Sequence, residues 1–165
     1  MPPIRVAPTI VVPLAALALL AAPAGARRSA TCPHPGTING VSVLIECGPA
    51  KATMHLGGVA IALKSGLCQR TSENFTIGFG AVLTGPTSKR PPDTFQLVAG
   101  GSGTRAAAHD GTYTATLQLT RLGRGYIGET MKLKLTHKRS AGTFSGTLTS
   151  TTSDKKVAAS GSFTC

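Results

Sequence analysis

Apolar and polar residues alternate with a period of two through most of this chain, the spacing at which strand side chains point to opposite sides of a sheet. In VSVLIEC, Val41, Val43, Ile45 and Cys47 share one face. KATMHLGGVAIALKSGLC aligns Ala52, Met54 and Leu56 before Gly57-Gly58, and Val59, Ile61 and Leu63 after it. A Gly-Gly pair between two alternating runs predicts a hairpin, because both residues take positive φ without a Cβ penalty. NFTIGFGAVL aligns Phe75, Ile77 and Phe79, and TFQLVA aligns Phe95, Leu97 and Ala99. TYTATLQLT turns Tyr113, Ala115, Leu117 and Leu119 inward and its threonines outward. MKLKLTHK turns Met131, Leu133 and Leu135 inward and Lys132, Lys134, Thr136 and Lys138 outward. In the last pair of runs Phe144 and Leu148 share a face, as do Val157, Ala159, Phe163 and Cys165. No window sustains apolar residues at helical spacing, and β-branched Thr and Val are abundant. The pattern predicts an all-β fold, an antiparallel sandwich or partly open barrel of about eight or nine short strands.

The breaks in the alternation set the organisation. TGPTSKRPPD and GGSGTRAAAHDG are turn-rich, the second being the longest loop. RRSATCPHPG, residues 27–36, is Pro-rich and polar and reads as an arm tied down at Cys32. Before it, an Arg5-containing start, the apolar run VAPTIVVPLAALALLAA and Ala24-x-Ala26 form a tripartite export signal over residues 1–26. Pro8 and Pro13 interrupt that run, which is short for a bilayer span. A single β domain over 37–165 remains, with no transmembrane span after signal cleavage, in a secreted, extracellular or cell-envelope protein.

Composition sharpens this in two respects. Aromatic residues are 4% of the chain, which predicts a core built mostly of Val, Leu, Ile and Ala. The four cysteines, Cys32, Cys47, Cys68 and Cys165, all follow the signal, and in an oxidising compartment they predict two disulfides with three possible connectivities. They lack a C-x-x-C or H-x-x-x-H element, which argues against zinc. Ser29 stands where a lipobox has Leu or a similar apolar residue, which argues against acylation of Cys32.

The order of KATMHLGGVAIALKSGLC, NFTIGFG, a glycine-rich middle and GSFTC resembles the mycobacterial nineteen-kilodalton lipoprotein antigen family and related actinobacterial secreted proteins. The resemblance covers residues 51–80 and 110–165. It implies that Cys68 and Cys165 are the family's bridging pair, which leaves Cys32 with Cys47. It also implies an antigen-like protein without enzymatic activity. The chain departs from the family in lacking the acylated cysteine and in carrying a further cysteine pair, so roles that need the lipid do not carry over.

Catalytic signals are weak. His34, His55, His109 and His137 have no nucleophile or carboxylate at a diagnostic spacing and read as surface histidines. Glu46, Glu73, Asp93, Asp110, Glu129 and Asp154 are scattered, with Asp93 and Asp110 placed to bond nearby backbone N–H groups in turns. There is no G-x-S-x-G elbow, and GGSGT lacks the G-K-[ST] of a phosphate loop. Asn74 heads an N-F-T sequon. No enzyme, metal site or cofactor is predicted.

Charge gives the one surface signal. The formal net charge is +11, and Lys132, Lys134, Lys138 and Arg139, with Arg121 and Arg124 in the preceding turn, form a basic stripe. Such a row suits an anionic cell-wall polymer or lipid headgroups. The stripe has no interleaved aromatics for stacking bases, so no specific nucleic acid is implied. Lysines on an exposed strand also guard against edge pairing. Two alternatives stand beside the binding module: a protease inhibitor presenting Lys89 or Arg90 from TGPTSKRPPD, and a carrier of an apolar ligand between the sheets.

Overall fold

The structure, a computed structural model, describes residues 32–87, 89–101 and 104–165. The stretch read as an export signal, residues 1–26, and residues 27–31 of the arm lie outside the described residues.

Ten strands form: β1 (His34–Ile38), β2 (Val41–Ile45), β3 (Ala50–Leu56), β4 (Val59–Arg70), β5 (Phe75–Leu83), β6 (Thr94–Ala99), β7 (Gly111–Arg121), β8 (Arg124–Thr136), β9 (Ala141–Ser150) and β10 (Lys156–Thr164). From β3 to β10 each strand pairs antiparallel with the next, and β10 pairs back with β3, so eight strands close into a barrel. The β1–β2 hairpin lies outside this ring and joins it where Val43–Ile45 pairs with Ala81–Leu83 of β5. No helix among the described residues is long and apolar enough to cross a membrane.

The predicted hairpin at Gly57-Gly58 forms, with φ of 56° and 88°. Two strands exceed or escape the alternation. HPGTI belongs to β1 and not to an arm: it pairs with β2 through the two-residue turn Asn39-Gly40, both at positive φ. β8 begins seven residues before Met131, at Arg124. Its register slips against both β7 and β9 around Gly128–Thr130. This bulge buries Gly128 and Met131 on the same side and so breaks the period of two in the sequence.

The core is mostly Val, Leu, Ile and Ala, as the composition predicts, with the scarce aromatics concentrated in it. All five phenylalanines, Phe75, Phe79, Phe95, Phe144 and Phe163, are buried inside the ring. Phe75 and Phe163 stack with centroids 5.4 Å apart, and Phe95 meets both Phe79, at 5.7 Å, and Phe144, at 5.6 Å. Inward-facing glycines make the room: a Cβ on Gly142 would come 2.6 Å from Phe163, and one on Gly161 would come 2.5 Å from Phe144. Rings on one strand therefore lie across bare backbone on the next, which fills a narrow barrel with few aromatics.

The two disulfides join Cys68 to Cys165 and Cys32 to Cys47, the pairing that the resemblance implied. Such bonds belong to an oxidising, extracytoplasmic environment. β3 starts at Ala50, opposite Gly66, so β4 from Leu67 onward has no β3 partner. Cys68–Cys165 bridges β4 to the end of β10 across that gap, with Cα atoms 5.7 Å apart. Cys32–Cys47 closes the open end of the β1–β2 hairpin.

Candidate anion-binding face

Lys132 and Lys134 point outward from β8, as the alternation requires. The register of the closed ring then decides what lies beside them. Lys134 stands opposite Thr143 on β9, which stands opposite Ser162 on β10, then Thr53 on β3, then Ala62 on β4. Lys132 heads the neighbouring row of Ser145, Ser160, His55 and Ala60. At an interstrand spacing of about 4.8 Å, the Lys134 row runs about 19 Å along the wall.

The side chains of this row are small and mostly hydroxylated, and the wall over it sinks into a groove of about 600 Å³. Lys134 lines the groove at the β8 side, and Lys51 and Lys64 line it at the β3–β4 side. No acidic residue lines it among the described residues. The floor offers hydroxyls that donate or accept, and the walls offer ammonium groups, strongly hydrated point charges with three donors each. That combination is chemically suited to anionic groups such as sulfate, phosphate or carboxylate.

The other members of the stripe go elsewhere. Arg121 and Arg124 pair across the Leu122-Gly123 turn at the start of β8, roughly 30 Å along the strand from Lys134. Lys138 is exposed in the β8–β9 turn at the opposite end. Arg139 is not available to a ligand in the way the stripe supposed: its Nη1 donates to the carbonyls of Thr71 at 2.8 Å, Ala107 at 2.9 Å and Asn74 at 3.4 Å. Its guanidinium clasps the β4–β5 turn and the long loop before β7 to the β8–β9 turn.

That turn is held in an unusual shape. His137, Lys138 and Arg139 have φ of 56°, 56° and 62°, a left-handed run that costs roughly 1–2 kcal/mol per residue outside glycine. Asp110 offsets the strain by accepting the amide N–H of Arg139 at 2.7 Å and of Lys138 at 3.0 Å. These two bonds, the Arg139 amide first, hold the Asp110 carboxyl below its ordinary range. Asp93 acts likewise, accepting the Leu122 N–H at 2.8 Å. Both aspartates therefore tie distant loops together, where the sequence suggested bonds within their own turns. The cause is the meander, which brings every second turn to the same end of the ring.

The other sequence candidates lie apart from the groove. His55 is exposed, His137 lies 3.2 Å from the Thr136 hydroxyl, and His34 lies 3.5 Å from Cys47 Sγ. No three His, Cys, Asp or Glu side chains among the described residues come close enough to hold a metal ion. Glu46 packs over Gly78 with Oε2 buried and without a hydrogen-bond partner among the described residues, and burial pushes its carboxyl up. Lys89 and Arg90 are both exposed, with side chains folded back along the protein. Lys89 Nζ donates to the Asn39 carbonyl at 3.2 Å, and the Arg90 side chain lies over Gly123. Neither disulfide braces their loop.

Lys51 and Lys64 are the functional candidates that the sequence reading passed over. The alternation of KATMHL and VAIALK turns both outward, but only the β3–β10 pairing brings them to the groove that Lys134 borders. No family model, curated protein or solved structure matches this chain.

Proposed function

We propose that this protein is an exported, non-enzymatic binding module that holds an anionic cell-envelope polymer in the groove between Lys134 and the Lys51–Lys64 pair. The observation that carries the reading is the row Lys134, Thr143, Ser162, Thr53, with ammonium groups at both sides and no carboxylate between them. A concave floor favours a chain over a bilayer, because a flat membrane surface rests on the rim and leaves the hydroxyls unmet. The resemblance to the nineteen-kilodalton antigen family, which has no established enzymatic activity, supports the non-enzymatic part. In the same reading the fold is a barrel rather than a sandwich, since each of the eight strands is paired on both sides over at least part of its length.

The test is binding of poly(glycerol phosphate) and polyphosphate, with neutral dextran as control. Charge recognition at an exposed face weakens as salt shortens the screening length from about 10 Å at 0.1 M to about 3 Å at 1 M. Replacing Lys51, Lys64 and Lys134 together by Gln should weaken binding about tenfold or more at low salt. Wild-type affinity in the triple variant, or binding indifferent to salt, would sink the proposal.

A further inference from the structure

The end of the barrel that carries the Gly57-Gly58 and Leu122-Gly123 turns differs from the groove in chemistry. Two of the most exposed large apolar side chains of the protein are here, Val59 at 62% exposure and Leu122 at 66%. Both border a mouth of about 540 Å³ whose inner wall is Leu56, Ile61 and Tyr126. Three guanidinium groups, those of Arg90, Arg121 and Arg124, line the same mouth.

Their placement follows from strand parity. Arg121 lies two residues beyond the inward Leu119, and Arg124 two before the inward-packed Tyr126. The pair, directly opposite each other in the register, therefore leans over the opening and not over the outer wall. Arg90 reaches the mouth from the β5–β6 loop, its side chain lying over Gly123. The nearby carboxylate, Asp93, is engaged by the Leu122 amide.

Behind the mouth the wall is open. β4 pairs with β5 only from Leu67 to Arg70, and β5 turns away at Gly80, whose φ is 85°, to pair with β2. A Cβ at Gly80 would collide with the Asp93 carbonyl, so the bend depends on glycine. The stretch of β4 from Ile61 to Lys64 is left without a β5 partner. A recess of about 180 Å³ enters there, with Met54, Phe79, Phe95 and Leu119 among its lining. Ile61 and Arg121 line both recess and mouth, so the two spaces are neighbours with these side chains between them.

We propose that this mouth binds one single-chain anionic amphiphile, with a carboxylate or phosphate head on Arg90, Arg121 and Arg124 and the tail running past Val59 and Ile61 into the recess. A guanidinium matches either head by paired N–H donors, and three of them around an apolar opening leave a neutral alkane poorly served. The phenylalanines that fill the rest of the barrel limit the tail to the mouth and recess.

The test is calorimetric titration of the full chain, produced with export so that both disulfides form. The probes are straight-chain carboxylates and alkyl phosphates of eight to twelve carbons, below their micelle concentrations, with alkyl glucosides and alkyltrimethylammonium salts as controls. Saturable one-to-one binding of the anionic probes is expected, tightening about fourfold per added methylene until the recess is full. R121Q/R124Q should bind them at least about tenfold more weakly, since two charge-assisted contacts are lost. Leu122→Asn keeps a residue that tolerates positive φ while removing the apolar tip, and should weaken binding without loss of folding. K132Q/K134Q should leave amphiphile binding unchanged, which separates this site from the groove. Equal affinity for neutral or cationic probes, no saturation below the micelle concentration, or binding only to anionic vesicles overturns the proposal.

Discussion

Asp110 accepts the amide N–H of Arg139 at 2.7 Å, across a sequence separation of 29 residues, and so fixes a turn that its own residues disfavour. The same turn aims the Arg139 guanidinium at three backbone carbonyls and sets the Ser140 carbonyl to accept the Cys165 amide at 2.8 Å. One exposed carboxylate thereby organises an end of the barrel. Because its folded value lies below the ordinary 3.8, the stability it contributes is complete above that value and is lost as the pH falls through the lowered one. Asp110→Asn should lower Tm at pH 7 and converge with the wild type in strong acid, read by thermal melts across the acid range. A constant Tm difference at every pH would show that charge plays no part.

Glu46 predicts the opposite sign. Burial raises its carboxyl above the ordinary 4.5, so the folded state holds the proton more tightly and loses stability as the pH rises through that range. Glu46→Gln should therefore raise Tm at pH 7 and leave it nearly unchanged at pH 3. A lower Tm at pH 7 would mean that the Oε2 atom has a partner worth more than its desolvation.

The glycine-lined interior makes a packing prediction. A Cβ at Gly161 meets Phe144 at 2.5 Å and collides with the Thr53 carbonyl, so Gly161→Ala should cost roughly 1–3 kcal/mol in denaturant unfolding. Phe144→Leu in the same chain relieves only the ring contact and should recover part of the loss. Additive losses in the double variant would place the strain at the Thr53 carbonyl alone.

The two disulfides should differ in weight. Cys68 and Cys165 are 97 residues apart, against 15 for Cys32 and Cys47. In the chain-entropy account the first closure is worth about 4.7 kcal/mol and the second about 3 kcal/mol. Serine replacement of each pair, followed by urea titration, should show the larger loss for Cys68–Cys165. Loss of the β1–β2 hairpin alone should leave the eight-strand ring folded, with its near-ultraviolet signal intact. Collapse of that signal on removing Cys32–Cys47 would show that the hairpin is part of the cooperative unit.

Strand identity was legible residue by residue, because a period of two is a property of local backbone geometry. The inward faces read from Met54, Ile77, Leu117, Leu133 and Phe163 are the buried ones. The turn at Gly57-Gly58 and the outward lysines of β8 were legible for the same reason. Short-range signals failed where the backbone left its ladder: the bulge at Gly128–Thr130 hid half of β8, and proline and glycine in HPGTI hid β1 despite the Asn39-Gly40 turn beside it. Which strands become neighbours is a long-range matter, settled when β10 pairs back with β3 about a hundred residues away. That closure brought Lys51 and Lys64 to the groove of Lys134, gathered the five phenylalanines into one core, and turned Arg139 from a free cation into a clasp. Alternation decides which way each side chain points. Hydrogen bonding around the ring decides what it finds there.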